Sequence, residues 1–452
     1  MRRLGGRTIF AGAAALALLA GPALAQNFDR AAPEQDKVAE SPTFAVHGQA
    51  TVVVQGHDTF RSPYRGDQSL DPSARGAETA DLTLYAGFKP WRGAEIWINP
   101  EIDQGFGLSN TLGVAGYVSG EAYKVGQSAP YLKLPRLFLR QTIDLGGERE
   151  KVDSDLNVLG GTRTSDRLVV TVGKFGVPDV FDTNTYAHDP RQDFLNWALI
   201  DTGTFDYAAD AWGFTFGAAA EWYKGPWTVR AGWFDLSNVP NSTSADLKFQ
   251  QYQWVGEVER RYELGGHKGK LAVTAFDSHG RMARFDDAVA LARATGQPAD
   301  VGLVRRMRER SGVSLNLEQT LAGELSAFAR AGVADGAIEP YEFADIDRTV
   351  AVGLSEGGKG WGREDDRAAA ALLVNGISGA HQGYLAAGGD GILVGDGRLP
   401  HAGAETVLEA WYSLSVVKGL HASLDYQFVS NPAYNRDRGP VSILGLRLHA
   451  QY

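Results

Sequence analysis

Long segments in which apolar and polar residues take strict turns constrain this chain more than any other feature. From Thr79 to Phe88, Ala80, Leu82, Leu84, Ala86 and Phe88 oppose Asp81, Thr83 and Tyr85. From Ala94 to Ile102, Ile96 and Ile98 oppose Glu95, Trp97, Asn99 and Glu101. From Leu134 to Leu145, Leu137, Leu139, Ile143 and Leu145 oppose Arg136, Phe138, Arg140, Thr142 and Asp144. Successive side chains of a strand point to opposite faces, so each segment is a two-faced strand. The rhythm recurs sixteen times: near 44–56, 78–89, 93–104, 133–145, 163–175, 211–223, 227–237, 250–263, 268–279, 311–319, 324–334, 345–355, 364–376, 404–417, 420–430 and 440–452. Most of these segments reach ten residues, whereas ordinary strands average about five or six. A strand tilted across a bilayer needs about 9–11. An even number of long, alternating, antiparallel strands predicts an all-β fold, a 16-stranded transmembrane β-barrel of the outer membrane occupying 44–452.

In lipid every backbone polar group must be paired, and only closure removes the sheet edges. A soluble sandwich would use shorter strands and bury its apolar faces between two sheets. Composition agrees with the barrel. The chain has 55 Gly, 20 Phe, 16 Tyr and 10 Trp beside only 3 Met, which suits strands and turns. Trp91, Trp222, Tyr223, Trp227, Trp233, Trp254, Tyr262 and Tyr412 fall near strand ends, where an interfacial girdle would place them. Tyr452 ends the last strand on its apolar side and looks like the recognition signal of the insertion machinery.

Export is written at the other end. Arg2, Arg3 and Arg7 precede a short apolar run from Ile9 to Ala20 and a small-residue cleavage site at Ala23-Leu24-Ala25. Residues 1–25 therefore read as a cleaved signal peptide, and 26–43 as a short periplasmic segment. No later stretch approaches 18 uninterrupted apolar residues, the length a spanning helix needs. With 54 acidic against 44 basic side chains, a net charge of −10 argues against a nucleic-acid partner. Zero cysteines exclude a disulfide scaffold, a thiolate metal site and a cysteine nucleophile.

Short and long connections alternate. Pro90-Trp91-Arg92-Gly93, Lys224-Gly225-Pro226, Gly265-Gly266-His267, Ala322-Gly323 and Lys418-Gly419 are tight turns. Long connections lie near 57–77, 105–132, 176–210, 280–310 and 377–403, the outer-loop pattern of bacterial barrels. The connection 146–163 is long on the short side. The stretch 283–310, with Asp286, Asp287, Ala288, Val289, Leu291 and Ala292, predicts a small helix inside an outer loop.

A sixteen-stranded lumen is too wide for side chains alone to fill, so an aqueous channel is expected. Strand parity points Arg136, Arg140, Arg167, Arg230, Arg330 and Arg447 inward, with Glu95, Glu101, Glu318, Glu405, Glu409 and Asp425. Trp97, Phe138 and Trp411 share those faces. Charged groups offer donors and acceptors to hydroxyls, and an aromatic face packs the apolar side of a sugar ring. The same charges also suit a lumen that is merely hydrated, as in any porin. The loop 176–210 carries Asp179, Asp182, Asn184, His188, Asp189 and Arg191, a set suited to a narrow eyelet.

Other motifs have plainer readings. His188, Asp189 and Asp193 contain metal-ligand types, but turn formation explains them equally well. Glu405, Glu409 and Asp425 contain the carboxylates of a glycosidase, yet carboxylates are common in a wet lumen. Gly388-Gly389-Asp390-Gly391 with Gly395-Asp396-Gly397 lacks the strand–turn–helix context of a nucleotide loop. No GxSxG elbow, HExxH or EF-hand loop occurs, so neither an enzyme nor a cofactor is expected.

Five stretches resemble the carbohydrate-selective porins (the OprB-like family) of Gram-negative bacteria: 95–126, 130–142, 173–199, 386–400 and 425–449. The most specific is GKFGVPDVFDTNTYAHDPRQDFLNWAL at 173–199, and 280–375 resembles the family less sharply. The resemblance implies passive, facilitated diffusion of glucose-like monosaccharides across the outer membrane. It does not map sugar contacts residue by residue. The lining therefore rests on parity: Arg136, Arg140, Glu95, Trp97, Arg230, Arg447, Asp425 and Glu409, with Asp179, Asp182, Asn184 and His188 from the loop. The expected partners are small carbohydrates, outer-membrane lipid and lipopolysaccharide, and the insertion machinery. Both a homotrimer and a monomer fit. The rival readings are a general diffusion porin, a plugged barrel acting as enzyme or adhesin, and a soluble secreted sugar-binding protein.

Overall fold

The computed structural model describes residues 42–122, 126–244 and 247–452. The signal peptide and most of the segment 26–43 lie outside the described residues. The strands are β1 (Phe44–His57), β2 (Arg75–Phe88), β3 (Ala94–Gly105), β4 (Gln127–Val152), β5 (Gly161–Phe175), β6 (Thr215–Lys224), β7 (Trp227–Asp235), β8 (Tyr252–Leu264), β9 (His267–Met282), β10 (Arg306–Ala322), β11 (Leu325–Ala334), β12 (Arg348–Gly357), β13 (Arg367–Gly376), β14 (Glu405–Val417), β15 (Leu420–Ser430) and β16 (Val441–Gln451). Each pairs antiparallel with its sequence neighbour. β1 closes on β16, with Val52 opposite Leu448, so no edge is left.

Parity holds around the wall. Leu82, Leu84, Ile98, Ile102, Leu137, Ile143, Leu424 and Leu446 are exposed on the outer face. Their alternates Thr83, Asn99, Glu101, Phe138 and Asp425 are buried on the lumen side. An outward apolar band over an inward polar face is what hydrocarbon outside and water inside require. Pro100 and Pro135 are accommodated at a bulge, where the β3–β4 register slips between Asn99 and Glu101.

Strand ends differ from expectation where side chains cap the backbone. β6 starts at Thr215 rather than near 211, because the Asp210 carboxylate accepts the N–H groups of Trp212 and Phe214 and holds a turn. β12 starts at Arg348 rather than near 345. Before it, Asp345 accepts the N–H groups of Leu393 and Val394, and Asp347 accepts that of Ser378. β4 does not stop at 145. It continues through Gly146 and Gly147 to Val152, so 146–163 is mostly hairpin rather than loop. The expected helix of the β9–β10 connection is present at Phe285–Thr295.

Two long connections on one end of the barrel fill much of the lumen. The 176–214 connection is buried along most of its length, including Phe181, Phe194, Trp197 and Leu199. Residues 106–122 enter beside it. Gln55 and Gln427 both donate to Val118 O, and the Ala115 and Gly116 N–H groups donate to Glu405. Trp197 N donates to Tyr117 O, and Gly120 N to Leu195 O, which ties the two connections together.

Candidate functional site

Lumen side chains divide into two groups by what they touch. The first group clamps loop backbone to the wall. Glu409 on β14 accepts the N–H groups of Leu195 (2.5 Å) and Asn196 (3.0 Å). Arg447 on β16 donates to Pro190 O (2.6 Å), Asp193 O (2.7 Å) and Gln192 O (3.1 Å). Asp425, packed behind Glu409 and Arg447, accepts from Gln427 at 3.3 Å. Arg230 sits among Glu221, Glu257 and Glu259, and Glu257 in turn accepts the Asp182 N–H. Asp182 accepts from Thr202 and Asn316, and the Asn184 amide donates to Asn316. A loop crossing a barrel has no ladder of its own, so wall side chains must satisfy its buried backbone groups.

The second group borders open space. A cavity of about 310 Å³ lies against β1–β4 and both inward connections. Arg136, Asp179 and His188 line it, together with Gln49, Tyr85 and Glu101 from the wall. Arg136 meets Asp179 as a fork, Nε to Oδ2 at 2.7 Å and Nη2 to Oδ1 at 2.6 Å. Its guanidinium also lies 4.8 Å from the centre of the Phe214 ring. Arg191 reaches from the loop to Asp81 (3.3 Å), Glu101 (3.2 Å) and Glu121 (3.1 Å). Tyr117, Trp197, Tyr207 and Phe343 form an aromatic side to the same space, with Tyr117 stacked on Trp197 at 5.3 Å.

Glu95, Trp97 and Arg140 gather nearer the chain-terminus end. Trp97 Nε1 donates to Glu95 at 2.9 Å, and Arg140 lies 3.5 Å from Glu95 and over Phe138. His188 Nδ1 is 4.0 Å from the Asp201 carboxylate. The Asp193 carboxylate accepts the N–H groups of His188 and Asp189, which closes the turn those residues form. Glu405, like Glu409, is engaged with loop backbone, at Ala115, Gly116 and Ala433.

The sequence named Arg191 within the loop's eyelet set but did not single out Glu121, Asp201 or the aromatic side. One signal was available: Phe194-Leu195-Asn196-Trp197-Ala198-Leu199-Ile200 is too apolar for a connection facing water.

Loop electrostatics follow from neighbours. Burial pushes the Asp179 carboxyl up, but the Arg136 guanidinium beside it wins and holds it below the usual carboxylate range. Burial pushes Asp201 up to about 6, against the opposing pull of His188. A raised carboxyl stabilises the fold fully below its unfolded value, and this contribution is lost as pH rises through about 6. Between about pH 5 and 7 the cavity therefore gains a negative charge. Cation preference, read as the reversal potential across a KCl gradient, is expected to rise over that interval. Asp201→Asn is expected to abolish this rise, and a shift of undiminished size in that variant would exclude Asp201 as the source.

The family described as carbohydrate-selective porin, OprB family, matches residues 67–452. The high-pH structure of Pseudomonas putida OprB superposes with a TM-score of 0.69 at 16% identity, covering 91% of this chain and 94% of that one. Its low-pH structure gives 0.51 at 12% identity, covering 91% and 93%. No curated protein matches. The family match spans most of the chain and falls on a closed sixteen-strand barrel, so this protein belongs to the OprB family of carbohydrate-selective porins, channel proteins of the bacterial outer membrane.

Proposed function

We propose that this barrel passes small neutral sugars, glucose-like monosaccharides among them, down their concentration gradient into the periplasm. The cavity carries this reading. Its volume, about 310 Å³, is at the low end of the roughly 300–1,000 Å³ that small-molecule sites use. One side offers ring faces at Tyr117, Trp197 and Tyr207; the other offers the Arg136–Asp179 fork and Arg191. Rings pack the C–H faces of a sugar, and the charged groups exchange hydrogen bonds with its hydroxyls. Such contacts are weak enough one at a time for the solute to leave again, which conduction requires. No cofactor or energy input takes part. The outer face contacts lipid, and Tyr452, exposed at the end of the chain, is the feature offered to the insertion machinery.

Swelling of proteoliposomes in glucose, sucrose and amino acids tests the reading. Glucose is expected to enter faster than an amino acid of equal size. Permeation ordered by size alone would make the protein a general diffusion porin. Absence of single-channel current would make it a plugged barrel.

A further inference from the structure

The β4–β5 hairpin is the wall's outlier. β4 is 26 residues long, whereas the next longest strand, β10, has 17. The ladder slips between Asp144 and Gly146 and again between Gly146 and Arg149. Gly146 and Gly147 there take φ of +113° and +87°, backbone that only glycine adopts freely. Bulges of this kind bend a strand. Beyond the bend, Glu148–Lys151 and Asp153–Asp155 are exposed, but the chain from Leu156 to Gly160 turns out of solvent. Leu159 is buried, and Leu156 packs against the apolar cluster of the lumen.

Four strands hold this tip. Ser154 Oγ lies 3.0 Å from His47 Nε2 on β1, and Gln451 on β16 donates to Asp155 at 3.1 Å. Asn99 on β3 donates to Asn157 Oδ1 at 2.9 Å, and Arg140 on β4 donates to Asn157 O at 2.7 Å. Asn157 adopts φ of +57° to meet both. Leu156 and Asn157 line the same cavity as Arg136, Asp179 and Trp197. A free overhang would have no reason to turn its apolar residues inward or to be tied to β1, β3 and β16.

We infer that the β4–β5 tip is a second filter, in which Asn157, positioned by Asn99 and Arg140, sets the size of solute that leaves the cavity toward the chain-terminus side. The inference rests on the sugar-channel reading but is tested apart from it. Gly146 pairs with Asp166. Deleting Glu148–Thr164 therefore leaves Gly147-Ser165 as a two-residue turn, with glycine at the first position as a type II′ hairpin prefers.

In reconstituted full-length protein, the deletion is expected to raise single-channel ion conductance roughly twofold and to let sucrose enter nearly as fast as glucose. Asn157→Trp is the opposite arm: it keeps the hairpin and should cut glucose entry several-fold while heat-modifiable migration stays unchanged. It also decides the matter where the deletion does not fold. Conductance and size limit indifferent to both changes would overturn the filter. An intact protein that conducts ions but passes no sugar would overturn the sugar reading alone, because the two variants still report on the filter through ion conductance.

Discussion

Arg330→Ala is expected to lower the stability of the barrel by about 3–5 kcal/mol, the range for removing one partner of a buried, hydrogen-bonded charge network. Arg330 is fully buried on the lumen face of β11. Its Nη1 donates to Ala187 O at 2.7 Å and to Leu199 O, and its Nη2 donates to Asp182 O at 2.9 Å. Its Nε lies 3.7 Å from the Asp182 carboxylate. One side chain thus gathers three carbonyls spread over the inward loop and compensates the charge of a fourth group. Alanine leaves the carbonyls without this donor and Asp182 without its cation. The loop should then detach before the wall does. The expected signature is a lower melting temperature in detergent together with larger, noisier single-channel current. Arg330→Lys keeps the charge but not the planar fork, so it should recover only part of the loss. Wild-type conductance in Arg330→Ala would show that the loop does not depend on this anchor.

Which parts of the molecule were legible in the sequence follows from how each is encoded. The wall is local information. Alternation in Thr79–Phe88 or Leu420–Ser430 fixes which face is wet, because a slip of one residue would expose the whole apolar set to the lumen. All sixteen expected segments are strands, closed in chain order. Strand ends were less legible where a cap or bulge decides them. Asp210 delays β6, and two left-handed glycines carry β4 onward when they would ordinarily suggest a turn.

The lumen is non-local information. Parity placed Glu409, Arg447 and Arg136 on the same inner face and could go no further. Whether such a group faces solute or a loop depends on chain hundreds of residues away: Glu409 meets Leu195, whereas Arg136 meets Asp179 at the cavity. The entry of 106–122 was not visible for the same reason. Its anchors Gln55, Glu405 and Gln427 come from β1, β14 and β15.

The second large effect is expected at the Arg136–Asp179 pair. Arg136→Ala removes the cation that two short hydrogen bonds join to Asp179, and the carboxylate then faces the cavity uncompensated. Charge-assisted hydrogen bonds are worth about 1.5–3 kcal/mol. Both partners here are partly exposed, so the stability loss belongs at the lower end of that range after screening. The larger consequence is on the ions: net charge at this polar contact changes by one unit, and cation preference should rise several-fold at low salt and shrink as salt screens it. Sugar-dependent block of the ion current should weaken about tenfold, since the fork's donors no longer reach a hydroxyl.

The pH dependence has a fixed sign. The Asp179 carboxyl is held below its ordinary value, so the pair's contribution is present above that value and is lost as pH falls through the lower folded one. The wild-type pair should therefore keep its selectivity through mildly acid conditions, while Arg136→Ala, whose Asp179 is no longer held down, should lose its extra cation preference at higher pH. Asp179→Asn in the Arg136→Ala background should restore the original charge balance without restoring the fork. If ion selectivity returns and sugar block does not, charge and hydrogen bonding act separately at this pair. If sugar block also returns, the fork is not what grips the solute.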